Sequence, residues 1–145
     1  MWRFSVGALL AMTIILSAPG YAQTAKLPRF SGRSLRTITE TTVVPLYPQD
    51  AIKARQTGVA VALVTVTEKG VVSKVEVLEA PSPSIGSSLS DALSQWRFKT
   101  ATVDGHVTGY TGKVTYYFLF QNGKPAVLSP DQAPYIGHWP TKTRS

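Results

Sequence analysis

The residues that could do chemistry in this 145-residue chain are two histidines, a few carboxylates and a run of serines. His106 follows a predicted turn and His138 lies near the C-terminus, and neither belongs to a cluster of acids, so we expect no metal site. The carboxylates of the central region fall in predicted caps, turns and exposed strand positions, which favours capping or solvated groups over a general acid–base pair. They are Asp50, Glu68, Glu76, Glu79, Asp91 and Asp104. The serines between positions 82 and 94 have no base beside them, so we predict no catalytic residue, no bound metal and no cofactor.

The composition excludes further classes of protein. The chain has no cysteine, which excludes disulfides and thiolate chemistry, and its hydrophobic fraction of 43% is typical of a globular domain. Its net charge of +7 lies mostly in the flanks, because residues 45–120 carry seven bases against six acids. A nucleic-acid-binding domain concentrates a basic face, so we expect no nucleic acid as a partner.

The N-terminal segment has the pattern of an export signal. A short basic start precedes an apolar run over 6–16, and the small residues Gly20 and Ala22 occupy the positions that a signal peptidase reads. We predict a signal peptide over 1–22 and export of the chain. The alternative is an uncleaved anchor, although the apolar run is shorter than the ~20 residues that a spanning helix needs.

Turn and periodicity signals predict a helix and a hairpin after position 45. Pro48 starts the helix, because proline is favoured at the first helical position, and Gly58 ends it in a left-handed conformation. A strand over 59–67, apolar on both faces, is followed by a turn at Gly70 and by an alternating strand over 71–79. We expect these two strands to form an antiparallel hairpin.

A second helix and a third strand complete the predicted fold. Ser88 has the spacing of a helix cap, and an apolar stripe from Ile85 to Trp96 faces the sheet. The strand over 112–120 alternates between an aromatic face and a mixed face. The predicted fold class is therefore α+β: two layers, with two helices on a three-stranded antiparallel sheet, in the order helix, strand, strand, helix, strand.

The composition of the flanks predicts how the chain is divided. Residues 23–44 are rich in Thr, Ser, Arg and Gly and lack apolar periodicity, which predicts a flexible basic tether. Residues 45–120 form the predicted domain. Residues 121–145 hold four prolines and are predicted to be an irregular tail.

An ordered set of residues over 45–120 carries a resemblance to a known family. The set comprises Tyr47, Pro48, Ala51, Gly58, Gly70, Trp96, Arg97 and Phe98. It resembles the C-terminal domain of the TonB energy transducers, and the end of the second helix at 96–98 looks like that family's signature. The resemblance implies the predicted fold, a place in the periplasm and no enzymatic activity. Thr100 stands where the family usually has proline, and no proline-rich spacer precedes Tyr47, so the resemblance extends to the domain rather than to energy transduction.

The outer edge of the last strand is the predicted binding site. In the resembled family this strand accepts a short extended segment of an outer-membrane receptor, which implies β-augmentation through main-chain hydrogen bonds. The corresponding residues here are Lys113, Val114, Thr115, Tyr116, Tyr117, Phe118 and Leu119. Two alternatives exist for this edge, which are protection by the C-terminal tail and pairing with a second copy of the chain in a homodimer. The sequence leaves open whether Thr115 or Tyr116 directs its N–H outward.

Two functions follow from these expectations. The first is a periplasmic TonB-like interaction module that binds an extended peptide, or the strand of an envelope partner such as an outer-membrane receptor, by β-augmentation. The alternative is a TonB-type energy transducer that is anchored in the inner membrane, faces the periplasm and acts on outer-membrane receptors. Loss of residues 1–22 from the exported protein distinguishes the two, because an anchored transducer retains them.

Overall fold

The computed structural model describes residues 26–133, so the predicted signal peptide at 1–22 and the last part of the predicted tail lie outside the described residues. The helices of this part are α1 (Gly32–Thr37), α2 (Gln49–Lys53) and α3 (Pro83–Ser94). The strands are β1 (Arg29–Phe30), β2 (Thr39–Thr41), β3 (Gly58–Val66), β4 (Val72–Glu79), β5 (Arg97–Phe98), β6 (Ala101–Val103), β7 (His106–Thr108), β8 (Tyr110–Gln121) and β9 (Lys124–Leu128).

The main sheet has five strands within residues 26–133. Its central strand β3 pairs antiparallel with β4 on one side and with β8 on the other. Strand β8 pairs antiparallel with β9 and, near its start, parallel with β1. The predicted order of elements is found in α2, β3, β4, α3 and β8. The prediction of three antiparallel strands is incomplete, because β1 and β9 come from the flanks and β1 makes the sheet mixed.

The hydrophobic core lies between the helices and one face of the sheet. Alternate residues of β3 from Ala60 to Val66 are fully buried, which is the period of two expected for a strand with one face on a core. Helix α3 contributes Ile85, Leu89 and Leu93, spaced by four residues, and each is 0% exposed. The apolar face of β3 and the apolar stripe of α3, both predicted from the sequence, therefore pack against each other.

The end of α2 differs from the prediction. Arg55, not Gly58, follows the helix in a left-handed conformation, with φ 49°. The Arg55 guanidinium lies 4.5 Å from the ring centroid of Phe120, a cation–π contact that holds this residue in place. Gly58 begins β3 instead, and a Cβ there would lie 2.6 Å from Cγ of Pro81. Glycine is needed at position 58 for space beside Pro81 rather than for ending a helix.

The start of α3 also differs from the prediction. The helix begins at Pro83, and the Ile85 amide donates to the Oγ of Ser82, which caps it. The predicted cap, Ser88, lies inside the helix and donates its hydroxyl to the Leu46 carbonyl at 2.5 Å. Proline at the first helical position therefore determines the start, and Ser88 ties α3 to the segment before α2.

The predicted flexible tether is folded over its described part, residues 26–44. Ser31 caps α1 by accepting from the Ser34 amide, and Leu35 on that helix is 1% exposed in the core. Leu35 packs over Gly112 of β8, where a Cβ would lie 2.0 Å from the Leu35 Cδ1 atom. The prediction of a tether is wrong here, because a single well-placed leucine anchors a helix too short to show apolar periodicity.

Candidate functional site at the outer edge of β8

The outer edge of β8, on the side away from β3, is only partly free. Residues Thr111 and Gly112 pair with β1, and residues 117–121 pair with β9. The sequence predicted a free edge along 113–119 and an irregular tail from 121 onward. The structure differs in both respects, because the tail returns as β9 and occupies the edge from Tyr117. The alternative of an edge protected by the tail therefore applies to this half, and residues 113–116 form the gap between the two flanking strands.

The geometry of the β8–β9 turn tells which backbone groups point outward. Asn122 and Gly123 have φ 52° and 76°, the signature of a two-residue type I′ turn, so Gln121 and Lys124 form a hydrogen-bonded pair. Bonded pairs alternate along an antiparallel ladder, so the odd-numbered residues of β8 direct their N–H and C=O groups outward. The Thr111 amide agrees, since it donates outward to the Pro28 carbonyl at 2.9 Å. Thr115 therefore directs its N–H outward, and Tyr116 directs its N–H to β3.

The gap presents backbone groups without a ladder partner in the part of the chain that the structure describes. They are the N–H and C=O of Thr115 and the C=O of Lys113. Helix α1 lies close to the Lys113 carbonyl: a Cβ on Gly32 would lie 3.2 Å from the Lys113 oxygen. Such a short stretch of unpaired strand is a place where an extended chain can add main-chain hydrogen bonds.

A recess of about 490 Å³ opens beside the gap. Its apolar wall includes Leu35, Val44, Trp96, Val114 and Tyr116. Its charged residues are two bases, Arg36 and Lys113, and two acids, Glu40 and Asp131, so its formal charges cancel. Because the wall is apolar and the charges are balanced, the recess suits an uncharged side chain better than an ion.

A salt bridge at the recess joins the two flanks of the domain. Arg36 of α1 forms a salt bridge with Asp131 of the turn that follows β9. Burial raises the pKa of the Tyr116 hydroxyl in the wall, and the nearby Arg36 charge opposes that shift. Tyr116 is therefore a neutral hydroxyl at pH 7, and the charges around the recess are those of the side chains at its rim.

The aromatic residues singled out in the sequence are structural. Trp96 is 5% exposed, donates its indole N–H to the Val43 carbonyl at 2.9 Å and forms part of the recess wall. Tyr47 donates its hydroxyl to the Gln56 carbonyl and meets the Phe118 ring edge-on at 5.3 Å between centroids. These two contacts make Tyr47 an anchor for α2. Phe98 is 3% exposed in the core.

The other residues of the family-like set, which runs from Tyr47 to Phe98, also have structural roles. Pro48 precedes the first residue of α2 as its cap, and Ala51 is 0% exposed. Gly70 has φ 76° in the β3–β4 turn, and a Cβ there would lie 1.9 Å from the Phe98 oxygen. The Arg97 guanidinium donates to the Trp96 carbonyl at 2.8 Å. The structure thus brings none of these four residues to the gap in β8.

Two features of the described residues bear on other kinds of site. No group of three or more His, Asp or Glu side chains within 26–133 lies close enough together to hold a metal ion. No helix in the same range is long and apolar enough to cross a bilayer.

The sequence reasoning missed the elements that surround the gap, which are β1, α1 and β9. One signal could have found β9, because Asn122-Gly123 between two apolar stretches is among the strongest short-range hairpin signals. A second signal was Ser31 followed by Leu35, a helix cap with one apolar residue. The pairing of Arg36 with Asp131 has no signal in the sequence, because the two residues meet only after both flanks have folded.

Two of three comparisons with known proteins found a match. The profile of the family described as Gram-negative bacterial TonB protein C-terminal matches residues 43–120. Among solved structures, the chain is similar to the solution structure of the TonB C-terminal domain of Pseudomonas aeruginosa, at 26% identity and a TM-score of 0.48. That similarity covers 58% of this chain and 86% of the other. A comparison with curated proteins found no match.

Proposed function

Because the chain belongs to the Gram-negative bacterial TonB protein C-terminal family, we propose that it is a periplasmic module that binds an extended segment of an envelope partner by β-augmentation. The family is a non-enzymatic domain with roles in energy transduction and protein interaction. The partner class that the family implies is the outer-membrane receptor. The segment would pair with β8 at the gap over 113–116.

The observation that carries this proposal is the outward direction of the Thr115 backbone groups. They have no ladder partner within residues 26–133, and they lie on the strand whose two ends are already paired by β1 and β9. The adjoining recess supplies an apolar wall for one side chain of the docked segment. Main-chain bonds would provide affinity, and the recess would provide selectivity.

A pair of proline variants tests the docking edge. Thr115→Pro removes an outward N–H and places its ring toward the recess, so this variant should stay folded and lose the partner. Tyr116→Pro removes an N–H that bonds to β3 opposite Ala60, so it should unfold the domain. Folding is measured by the melting transition. Binding is measured by capture from an envelope extract, with a photo-reactive side chain at Lys113 to identify the segment that lies beside the gap.

The control for capture is the same photo-reactive group at Lys99, which lies outside β8 and outside the recess. Moderate salt should weaken capture little, because main-chain hydrogen bonds act at short range whereas surface charges are screened over ~8–10 Å. A folded Thr115→Pro variant that captures the same segment as before would contradict the proposal.

The alternative function is an anchored energy transducer, which the family's role in energy transduction favours. It differs from the first proposal in the fate of residues 1–22, which an anchored protein retains. Intact-mass measurement of the exported protein therefore decides between them.

A further inference from the structure

We propose that the open face of the main sheet, the face away from the helices, binds the surface of an anionic phospholipid bilayer. The open face is formed by the side chains that point away from the core on the five strands of this sheet. Its large apolar residues are Val59, Val61, Leu63, Tyr117, Leu119 and Leu128. Its bases are Arg29, Lys74, Lys113 and Lys124.

Alternation along the strands assigns the apolar residues to one face. The even-numbered residues of β8 from 114 to 118 are buried in the core, so its odd-numbered residues lie on the open face. Cross-strand partners share a face, and Tyr117 pairs with Val59 on one side and with Leu128 on the other. These three side chains therefore form an apolar row across β3, β8 and β9. All three are half-buried, and none belongs to the hydrophobic core.

No helix or strand within residues 26–133 packs across this row. Helix α3 packs on β3 and helix α1 packs on β8 through core residues, so both lie on the opposite face. The sequence predicted β3 to be apolar on both faces, which is typical of a strand that is covered on each side. An apolar surface that is bordered by charged residues marks an interaction site. The second cover of β3 must come from outside the described residues.

The bases of the open face border its apolar centre at both ends. Arg29 lies on the open side of β1, because it pairs with Thr111 of β8. Lys113 follows two residues later on β8, and Lys124 lies at the other end of the sheet, where it pairs with Gln121. Arg29, Lys113 and Lys124 are exposed, and none of them forms a salt bridge within the described range. These three bases are therefore available to an anionic partner.

The acids of the open face lie along one edge. Glu76 pairs with Leu63 and Glu79 pairs with Val61, so both acids are on β4. The Glu76 carboxylate lies 3.5 Å from the Lys74 ammonium, which balances that charge. Strands β1, β3, β8 and β9 carry no acid. The open face is thus positive away from the β4 edge.

This charge argues against two occupants that the chain itself could supply. A second copy in a symmetric dimer would place the same basic surface against itself. Residues 134–145 contain Lys142 and Arg144 and no acid, so they too would bring positive charge. An anionic bilayer complements the open face instead, since each Lys or Arg near its surface strengthens binding about fivefold.

The arrangement of the open face also matches a bilayer surface. Proteins that lie on a membrane place apolar and aromatic side chains at the boundary between headgroups and acyl chains, and bases among the headgroups. Tyr117 is the centre of the apolar row, and tyrosine is enriched at that boundary. Docking at the gap stays possible in this orientation, because the Thr115 N–H is directed along the sheet rather than out of its face.

A matched pair of charge-reversal variants tests the attraction to the bilayer. The probes are vesicles of equimolar phosphatidylglycerol and phosphatidylcholine and vesicles of phosphatidylcholine alone, and co-sedimentation measures binding of the exported protein. Arg29→Glu with Lys124→Glu should bind the anionic vesicles more weakly by roughly tenfold or more. Lys53→Glu with Lys99→Glu reverses two exposed bases outside the main sheet. This control should bind within about threefold of the unchanged protein, because charges are screened over ~8–10 Å.

The two lipid compositions and the salt dependence supply further checks. The unchanged protein should bind the anionic vesicles and lose them as salt is raised, and it should bind phosphatidylcholine alone only weakly. Melting transitions establish that all variants are folded. If the two double variants bind anionic vesicles equally, or if the unchanged protein binds both kinds of vesicle equally, the proposal is wrong.

A fluorescent label tests which face meets the bilayer. The chain has no cysteine, so Leu63→Cys and Val103→Cys each provide a single site for a dye whose emission shifts to the blue in apolar surroundings. Leu63 lies on the open face, whereas Val103 is 38% exposed on β6, outside the main sheet. Anionic vesicles should shift the emission of the dye at position 63 and leave the dye at position 103 unchanged.

Emission before vesicles are added identifies the competing occupants. A blue-shifted dye at position 63 whose emission depends on protein concentration would show that a second copy covers the open face. The same shift at every concentration would show that residues 134–145 cover it. Either result, or a dye at position 63 that does not respond to anionic vesicles, would overturn the proposal. None of these results bears on capture at the gap, which Thr115→Pro tests separately.

Discussion

Trp96 connects the core to the recess beside β8. One side of the residue is fixed by the bond from its indole N–H to Val43, and its ring meets the Tyr116 ring edge-on at 6.4 Å between centroids. Since Tyr116 belongs to the strand that carries the proposed docking edge, the position of that edge depends on how well this aromatic pair is packed. A residue that the sequence marks only as core thereby shapes the candidate site.

Replacement of Trp96 tests its role in the core. Trp96→Ala should lower the free energy of unfolding by ~3–5 kcal/mol, the range for deleting a large buried aromatic side chain. Trp96→Phe should cost less, because it keeps most of the ring and loses the hydrogen bond to Val43. Urea denaturation measures both variants. An alanine variant with an unchanged midpoint would mean that the indole is not part of the packed core.

Helix α1 is held against β8 by one close contact. Gly112 leaves the space that Leu35 fills, and the side chain of Leu35 in turn forms a wall of the recess. Strand β1 continues the same flank along the edge of β8. The two flanks, one before the matched region and one after it, therefore cover the two ends of the outer edge of β8.

The Leu35–Gly112 contact predicts non-additive mutational effects. Gly112→Ala should destabilise the protein by ~1–3 kcal/mol, because the added methyl group collides with Leu35. Leu35→Ala should cost ~2–5 kcal/mol through the cavity that it leaves. The double variant should lose less than the sum, since alanine at 35 makes room for the methyl group at 112. Denaturation of the four proteins tests this, and strictly additive losses would show that the two residues do not touch.

At the scale of the whole molecule, two buried tyrosines and one half-buried tyrosine couple stability to alkaline pH. Burial raises the pKa of Tyr47, Tyr110 and Tyr116 above the ordinary value of 10.0. The charge of Arg55 partly offsets the rise for Tyr47, and the charge of Arg36 partly offsets it for Tyr116. The unfolded chain releases these protons at lower pH than the folded chain does. Stability from this source is therefore fully present below pH 10 and is lost as pH rises through the folded pKa values.

Thermal unfolding from about pH 8 to about pH 11 should show this decline, which begins near the unfolded tyrosine pKa of about 10. Tyr116→Phe should make the decline shallower, because it removes one of the three titrating hydroxyls. Its melting temperature near pH 8 should change little, since no side-chain hydrogen bond of the Tyr116 hydroxyl is present in the described structure. A melting temperature that stays level for the unchanged protein above pH 10 would contradict the assignment.

The order of elements over 45–120 could be predicted from the sequence because its signals are local. Alternation along 59–67 and 112–120, the turn at Gly70 and the apolar stripe from Ile85 to Trp96 each depend on neighbouring residues. These signals placed the hairpin, the second helix and the strand of the candidate site. The ordered set from Tyr47 to Phe98 was enough to predict the family, which the match over 43–120 confirms.

Tertiary structure decided how much of the proposed docking edge is already paired. Residue 35 becomes a core residue because Gly112 lies opposite it, and residue 124 becomes part of a strand because Gln121 pairs with it. Both contacts join a flank to β8. The direction of the Thr115 N–H has the same origin, since it depends on which residues of β8 bond to β3 and on the phase that the turn at 122–123 sets. Periodicity within one strand carries no information about its neighbours, so the free length of this edge emerges only when the flanks have folded onto it.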